Sequence, residues 1–398
     1  MRQVKIKELA AFIGRGITPE YVEEDGLMVI NQKCVRGNKV LTAQARFTSS
    51  RKKYASEKLI RKNDILINST GTGTLGRVGF VKTDFQCLCD THVTILRLRS
   101  EVNPLYVSYY LHLNKAILES LGIGSTNQIE LSAKDIGNIN IALPDRPIQD
   151  KVVEILSCYD DLIDLNNKRM ELLESISQDV FKEWFVRYRF PGYEECEFAE
   201  GKPAGWKIKR VKDIIDFDPT TKVSRDEEII NVPMAALSTN SMVLDEDEFE
   251  VVESVSGSKF KNGDTLFARI TPCLENGKTG FVSGLQNQTA TGSTEFIVLR
   301  AKSVTPEFVY LFARSDYFRE TAIASMNGAD GRQRAKSEKL QSLKYSVPPK
   351  TIIDEFTKIV RPNFEQIEML QKKNKMLIRQ RDILLPRLLS GQLLRYLG

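Results

Sequence analysis

The chain predicts an α+β fold with a pseudo-twofold internal repeat: two similar mixed α/β domains separated by two long antiparallel coiled-coil helices. Three observations carry this. Short segments recur at offsets of about 200 to 204 residues, two stretches of roughly 40 residues hold apolar side chains at spacings of three and four, and a proline boundary precedes each stretch. Arg61-Lys62-Asn63-Asp64-Ile65-Leu66 returns as Lys261-Asn262-Gly263-Asp264-Thr265-Leu266, and Val102-Asn103-Pro104 as Val304-Thr305-Pro306. Asp135-Ile136 through Leu143-Pro144 matches Lys339-Leu340 through Val347-Pro348. An offset that drifts by so little places the insertions in loops.

The four pieces follow in order. Residues 1–145 alternate short strand-like runs, such as 64–68, 77–81 and 91–97, with Gly/Thr/Asn turns and one helical stretch near 105–120. Residues 146–189 form the first long helix: from Ile148 to Arg187 there is neither proline nor glycine. Residues 190–349 are the second mixed domain, entered through Phe190-Pro191-Gly192 and Gly201-Lys202-Pro203. Residues 350–398 carry the second long helix, in which Pro362 either opens the main segment or kinks a continuous one.

A seam can be counted along each helix. The first reads Leu156, Tyr159, Ile163, Asn166, Met170, Leu173, Ser177, Val180 and Trp184. The second reads Val360, Asn363, Ile367, Leu370, Asn374, Leu377, Arg381, Leu384 and Leu388, with more polar interruptions and hence a weaker seam. Asparagine at such positions lowers stability but selects register. A further apolar line through Ile155, Cys158, Leu162, Leu165, Leu172 and Ile176 makes the first stripe wider than a two-stranded seam needs, so it also faces a domain or another chain.

Composition narrows the class. The chain has 398 residues, 41% hydrophobic and 27% charged, enough for two or three cored domains, and a net charge of +5 permits nucleic-acid binding without demonstrating it. Six scattered cysteines and two histidines argue against a structural zinc and for a reducing, cytoplasmic setting. No signal-peptide core and no run of 18 apolar residues occurs, so no membrane association is expected.

Four local features stand out: the boundaries Leu143-Pro144-Asp145-Arg146-Pro147 and Val347-Pro348-Pro349-Lys350, the close of the first helix at Phe181-Lys182-Glu183-Trp184-Phe185, and the C-terminal Leu384-Leu385-Pro386-Arg387-Leu388-Leu389-Ser390-Gly391. In these features and in the order of its parts, the chain resembles the DNA-specificity subunit of Type I restriction-modification systems. The first boundary departs from the family in carrying Asp145-Arg146 within its proline-rich run. The resemblance implies two target-recognition domains, each reading one half of a bipartite, asymmetric site in double-stranded DNA. It also implies helices that set the spacing and dock two methyltransferase (modification) subunits, which restriction/translocase subunits join. No catalysis and no cofactor is then expected in this chain; S-adenosylmethionine, ATP and Mg belong to the partner subunits.

Charge placement points the same way. Residues 46–62 hold seven basic side chains against one acidic, a pattern suited to phosphates. Contact with DNA is expected from Arg36, Arg46, Arg51, Lys52, Lys53 and Arg77 in the first domain and from Arg269 and Lys278 in the second. The aligned turns add Asn127 and Gln128, and Arg332, Gln333, Arg334 and Lys336, residue types that pair with guanine and adenine edges. The plain alternative is that these are solvated loops.

Two rival classes are a coiled-coil scaffold that binds only proteins and a nucleotide enzyme. Gly71-Thr72-Gly73-Thr74-Leu75-Gly76 satisfies G-x-G-x-x-G, but Arg77 to Val81 reads as a strand where a dinucleotide fold needs a helix. Its repeat partner ends in Gly277-Lys278-Thr279 with Pro272 in place of the first glycine of a P-loop. His92 and His112 lack acid or thiol companions in sequence and read as packing or surface residues.

Overall fold

The computed structural model describes residues 1–23, 26–84, 86–124, 129–224, 228–326 and 333–393. Its contacts divide into two compact units, Met1–Leu162 with Leu377–Gly398, and Ile163–Met376. The division falls inside both long helices, because half of each packs tightly on one mixed domain and half on the other; the four linear pieces of the sequence are thus two folded bodies.

In the first unit, Arg2–Lys5 pairs antiparallel with Asn140–Leu143, closing the domain's two ends on each other. A six-stranded sheet runs in the order Ala10–Arg15, Val93–Leu98, Ile65–Asn68, Val78–Phe80, Asn38–Val40, Val35–Arg36. Its central pair sets Leu96 opposite Ile65 and Val93 opposite Asn68. Ile65, Leu66 and Ile67 are fully buried, which explains a continuous apolar run where a half-exposed strand would alternate. The expected helical stretch forms as Pro104–Leu113 and Lys115–Ser120, with Asn103 Oδ1 accepting from the amides of Leu105 and Tyr106 and proline at the first turn.

The second unit repeats this plan. Lys207–Arg210 pairs with Lys344–Val347, and a sheet runs Ile215–Phe217, Phe296–Ala301, Thr265–Ala268, Thr279–Phe281. Leu299 lies opposite Thr265 and Phe296 opposite Ala268. The turns that lead into the two central strands match to the residue: Asn63 and Gly263 both take a positive φ, 72° and 88°, a conformation that favours glycine and, among side-chain-bearing residues, asparagine.

The first long helix spans Arg146–Phe181, 36 residues, and ends in a π turn over Lys182–Val186. The second spans Lys350–Leu389, 40 residues, and continues unbroken through Pro362. Pro362 is exposed, so the carbonyl of Lys358 that loses its amide donor is left on the solvent side. Val152, Leu156, Leu385, Leu388 and Leu389 complete the first domain's core. Phe181, Trp184, Phe185, Phe356 and Val360 do the same for the second, where Phe185 and Phe356 meet edge to face at 4.7 Å.

Candidate functional site

The helix seam is the first candidate surface. In the second unit, Asn166 Nδ2 donates to Asn374 Oδ1 at 2.8 Å, Asn374 Nδ2 to Asn167 Oδ1 at 2.8 Å, and Asn363 Nδ2 to Ser177 Oγ at 3.1 Å. A step forward along one helix meets an equal step back along the other, so the two run antiparallel and in register. In the first unit, Arg381 Nη1 donates to Asp160 Oδ1 at 2.7 Å. The polar interruptions that weaken the seam in the linear sequence therefore each find a polar partner on the facing helix. Among the apolar seam positions Leu156, Ile163, Trp184, Ile367 and Leu370 are buried, and Tyr159, Met170, Leu173, Val180, Leu377 and Leu384 half-buried.

Two carboxylates on the first helix fasten the domains beside it. Asp160 accepts from Tyr109 Oη at 2.5 Å within the first unit. In the second unit Glu174 accepts from Tyr310 Oη at 2.5 Å and from the Met242 amide at 2.8 Å. Burial pushes the Glu174 carboxyl above the usual glutamate range, against the pull of the Tyr310 and Met242 hydrogen bonds. Sequence reading passed over both, because a carboxylate on a helix is ordinarily solvated.

The additional apolar line divides. Ile155 packs against the first domain's core, whereas Leu165 and Leu172 are each 55% exposed. Met369 and Met376, at 62% and 60%, stand at the corresponding repeat positions of the second helix.

The basic segment is partly consumed by the fold. Arg46 stands on the strand Arg46–Ser49 with its guanidinium 3.4 Å from the centroid of the Tyr21 ring, and Lys52 pairs with Glu20 at 3.4 Å. Lys58 Nζ donates inward to the Arg15 carbonyl at 2.5 Å. Tyr54 packs, its hydroxyl bonded to Thr48 and to the Ser49 carbonyl. Arg36, Arg51 and Lys53 are exposed and Arg77 is half-buried behind the glycine loop. Strands Val78–Phe80 and Thr279–Phe281 follow the two nucleotide-loop lookalikes, so neither opens a helix that could receive a phosphate. In the second domain Lys278 Nζ is bonded to the Met234 carbonyl at 2.9 Å. Arg334 lies bidentate on Glu295, Nε and Nη2 at 3.0 and 2.6 Å from Oε1, while Gln333 and Lys336 flank it. Asn127, Gln128 and Arg332 fall outside the described residues.

One end of each central strand pair brings together residues that sequence reading did not group. In the first domain the Ser69 amide donates to the His92 carbonyl at 2.8 Å and the Leu131 amide to the Ser69 carbonyl at 2.8 Å. Thr70 Oγ1 meets His92 Nδ1 at 2.7 Å, and Arg15 pairs with Glu130 while donating to the Leu131 carbonyl at 3.1 Å. The second domain has the same backbone: Arg269 amide to Glu295 carbonyl at 3.0 Å, Ala335 amide to Arg269 carbonyl at 2.8 Å. There Arg269 Nη2 donates to the Ala335 carbonyl at 3.2 Å, the role Arg15 fills in the first domain from a different strand. No signal in a linear reading relates Arg15 to Glu130, 115 residues away.

Two modules of one plan, each with a polar edge that differs between them and a share in a common helix pair, define an internally duplicated, modular protein. Residues 2–175 match the Type I restriction modification DNA specificity domain. The chain is 24% identical over 299 residues to the Type I restriction enzyme MjaIX specificity subunit of Methanocaldococcus jannaschii, covering 72% of this chain and 68% of that protein. It is 31% identical over 179 residues to the EcoAI specificity subunit of Escherichia coli, 43% of this chain and 30% of that one. The crystal structure of the Type I restriction-modification S subunit from M. genitalium shares the fold, with a TM-score of 0.57 at 14% identity over 97% of this chain and 95% of that one. The likeness to Type I restriction-modification specificity subunits is thus one of sequence over residues 2–175 and of fold over nearly the whole chain. Among the described residues no helix is long and apolar enough to cross a membrane.

Proposed function

We propose that each mixed domain reads one half of a bipartite, asymmetric site in double-stranded DNA, that the helix pair sets the unread gap, and that two methyltransferase subunits dock on the helices, to be joined by restriction/translocase subunits. The observation that supports this best is the pairing of a shared backbone with different side chains at corresponding positions of the two domains. Identical readers would require a palindrome; similar but non-identical ones accept two unlike half-sites. The exposed Leu165 and Leu172, with Met369 and Met376 at the same repeat positions, offer one apolar surface twice, which suits two copies of one partner. S-adenosylmethionine, ATP and Mg act in those partner subunits. A protein-only scaffold would have no use for matched polar edges on its domains.

The test is DNA binding by the chain with and without modification subunits across a salt series. Affinity that rises when the subunits are added, and falls steeply with salt, is the expected result. Absence of binding with the subunits supplied, or binding indifferent to salt, rejects the reading.

A further inference from the structure

The two ends of the central strand pair differ in what the repeat preserves. At one end, Asp64 with Arg97 in the first domain and Asp264 with Arg300 in the second make the same buried ion pair. Residues that are identical in both halves cannot tell two half-sites apart. At the other end the backbone is again the same, with corresponding hydrogen bonds between corresponding residues, yet the side chains differ in kind: Ser69 against Arg269, His92 against Glu295, Glu130 against Arg334.

The ion pair at this variable end is reversed. In the first domain the residue that forms an isolated bridge with Thr70 is Glu130, held by Arg15; in the second, the residue that bridges Ile270 is Arg334, held by Glu295. Core packing does not call for such a reversal, since Glu130 and Arg334 are 53% and 48% exposed. Recognition does. An arginine whose Nε and Nη2 are taken up by a carboxylate is fixed in direction and still presents its second fork, Nη1 with the outer Nη2 hydrogen, to a bidentate acceptor. A glutamate held on one oxygen by arginine keeps its remaining lone pairs for a donor.

We infer that Glu130 and Arg334 are corresponding specificity-determining residues of opposite polarity, buttressed by Arg15 and Glu295. Arg334 selects a base edge made of acceptors, as guanine O6 and N7 provide; Glu130 selects a base that offers an exocyclic amino group, as cytosine N4 does. His92, exposed and tied to Thr70 beside Glu130, belongs to the same reading position in the first domain. This deepens the proposed function and rests on it.

The experiment is methylome sequencing of cells carrying the chain with its modification subunits, comparing wild type with Glu130→Gln and Arg334→Gln. The expected outcome is a split motif in which Glu130→Gln relaxes one base of one half-site and Arg334→Gln one base of the other, each lowering discrimination there by about 10- to 100-fold. An unchanged motif in both variants overturns the inference while leaving the bipartite reading intact. Uniform loss of methylation by variants that melt like wild type also overturns it, by making the residues backbone contacts. Should Glu130→Gln fail to fold, His92→Ala at the surface takes its place: a change confined to the same half-site supports the inference, and an unaltered motif refutes it. If the wild type itself yields no split motif, the underlying function is what fails.

Discussion

Arg97 donates from Nε and Nη2 to the two carboxylate oxygens of Asp64, at 2.8 and 2.7 Å, and Arg300 repeats the arrangement on Asp264 at 2.7 and 2.6 Å. Each aspartate also accepts from the backbone amide three residues earlier, Arg61 or Lys261, at 2.8 Å. With side chains 1% exposed, Asp64 and Asp264 depend wholly on these partners. Removing one member strands a buried charge, so Arg97→Ala is expected to destabilise the first unit by about 3 to 5 kcal/mol, read from urea unfolding. Arg300→Ala should do the same to the second unit. A loss below 1 kcal/mol would show that water reaches the carboxylate.

The Asn166–Asn374 pair leads to a contrast between single and double variants. Asn166→Leu leaves the buried amide of Asn374 short of a partner and should cost about 1 to 3 kcal/mol. Asn166→Leu with Asn374→Leu replaces both groups, and is expected to recover that loss or exceed wild-type stability, at the expense of a unique helix register. Denaturant unfolding of Asn166→Leu, Asn374→Leu and the double variant gives the coupling energy.

The first domain depends on the far end of the chain. Leu385, Leu388 and Leu389, at 6%, 2% and 2% exposure, are part of the core that Val4, Ile6 and Leu9 begin. Leu388→Ala should lower stability by about 2 to 5 kcal/mol. Ending the chain at Met376 removes all three leucines, and limited proteolysis should then cut within residues 1–162 while the second unit stays protected.

Glu174 gives the second unit a pH dependence of definite sign. Its carboxyl is raised in the folded state, chiefly by burial, so the native protein holds this proton more tightly than the unfolded chain. The stability associated with the protonated group is complete below the unfolded value of 4.5 and is lost as pH rises through the folded one. Glu174→Gln is expected to flatten the fall in Tm above that pH. Equal slopes for wild type and variant would place the effect elsewhere.

Lys53 is exposed and belongs to the basic segment, and it offers a test of phosphate contact. Lys53→Ala should weaken binding to all DNA sequences alike and reduce the slope of log affinity against log salt by about 1. A sequence-dependent loss would instead make it a base contact.

The doubled architecture was legible in the linear chain because its signals are local and repeated. Turn residues before a strand, proline at a helix start, and three-four periodicity over two long stretches each act within a few residues of one another, and the duplication states each of them twice. The burial of Leu156, Ile163, Trp184, Ile367 and Leu370 follows the three-four spacing, since burial on a helix is periodic. What tertiary structure decided was partnership. Asn374 reads as a weakness until Asn166 stands opposite, Glu174 as a solvated charge until Tyr310 closes over it, and Pro362 as a helix start or a kink until it is found on the exposed side of a continuous helix. Arg15, Glu130 and His92 gave no warning of one another, because neighbours brought together by crossing strands leave no period in the sequence; their chemistry exists only where the chain returns to itself.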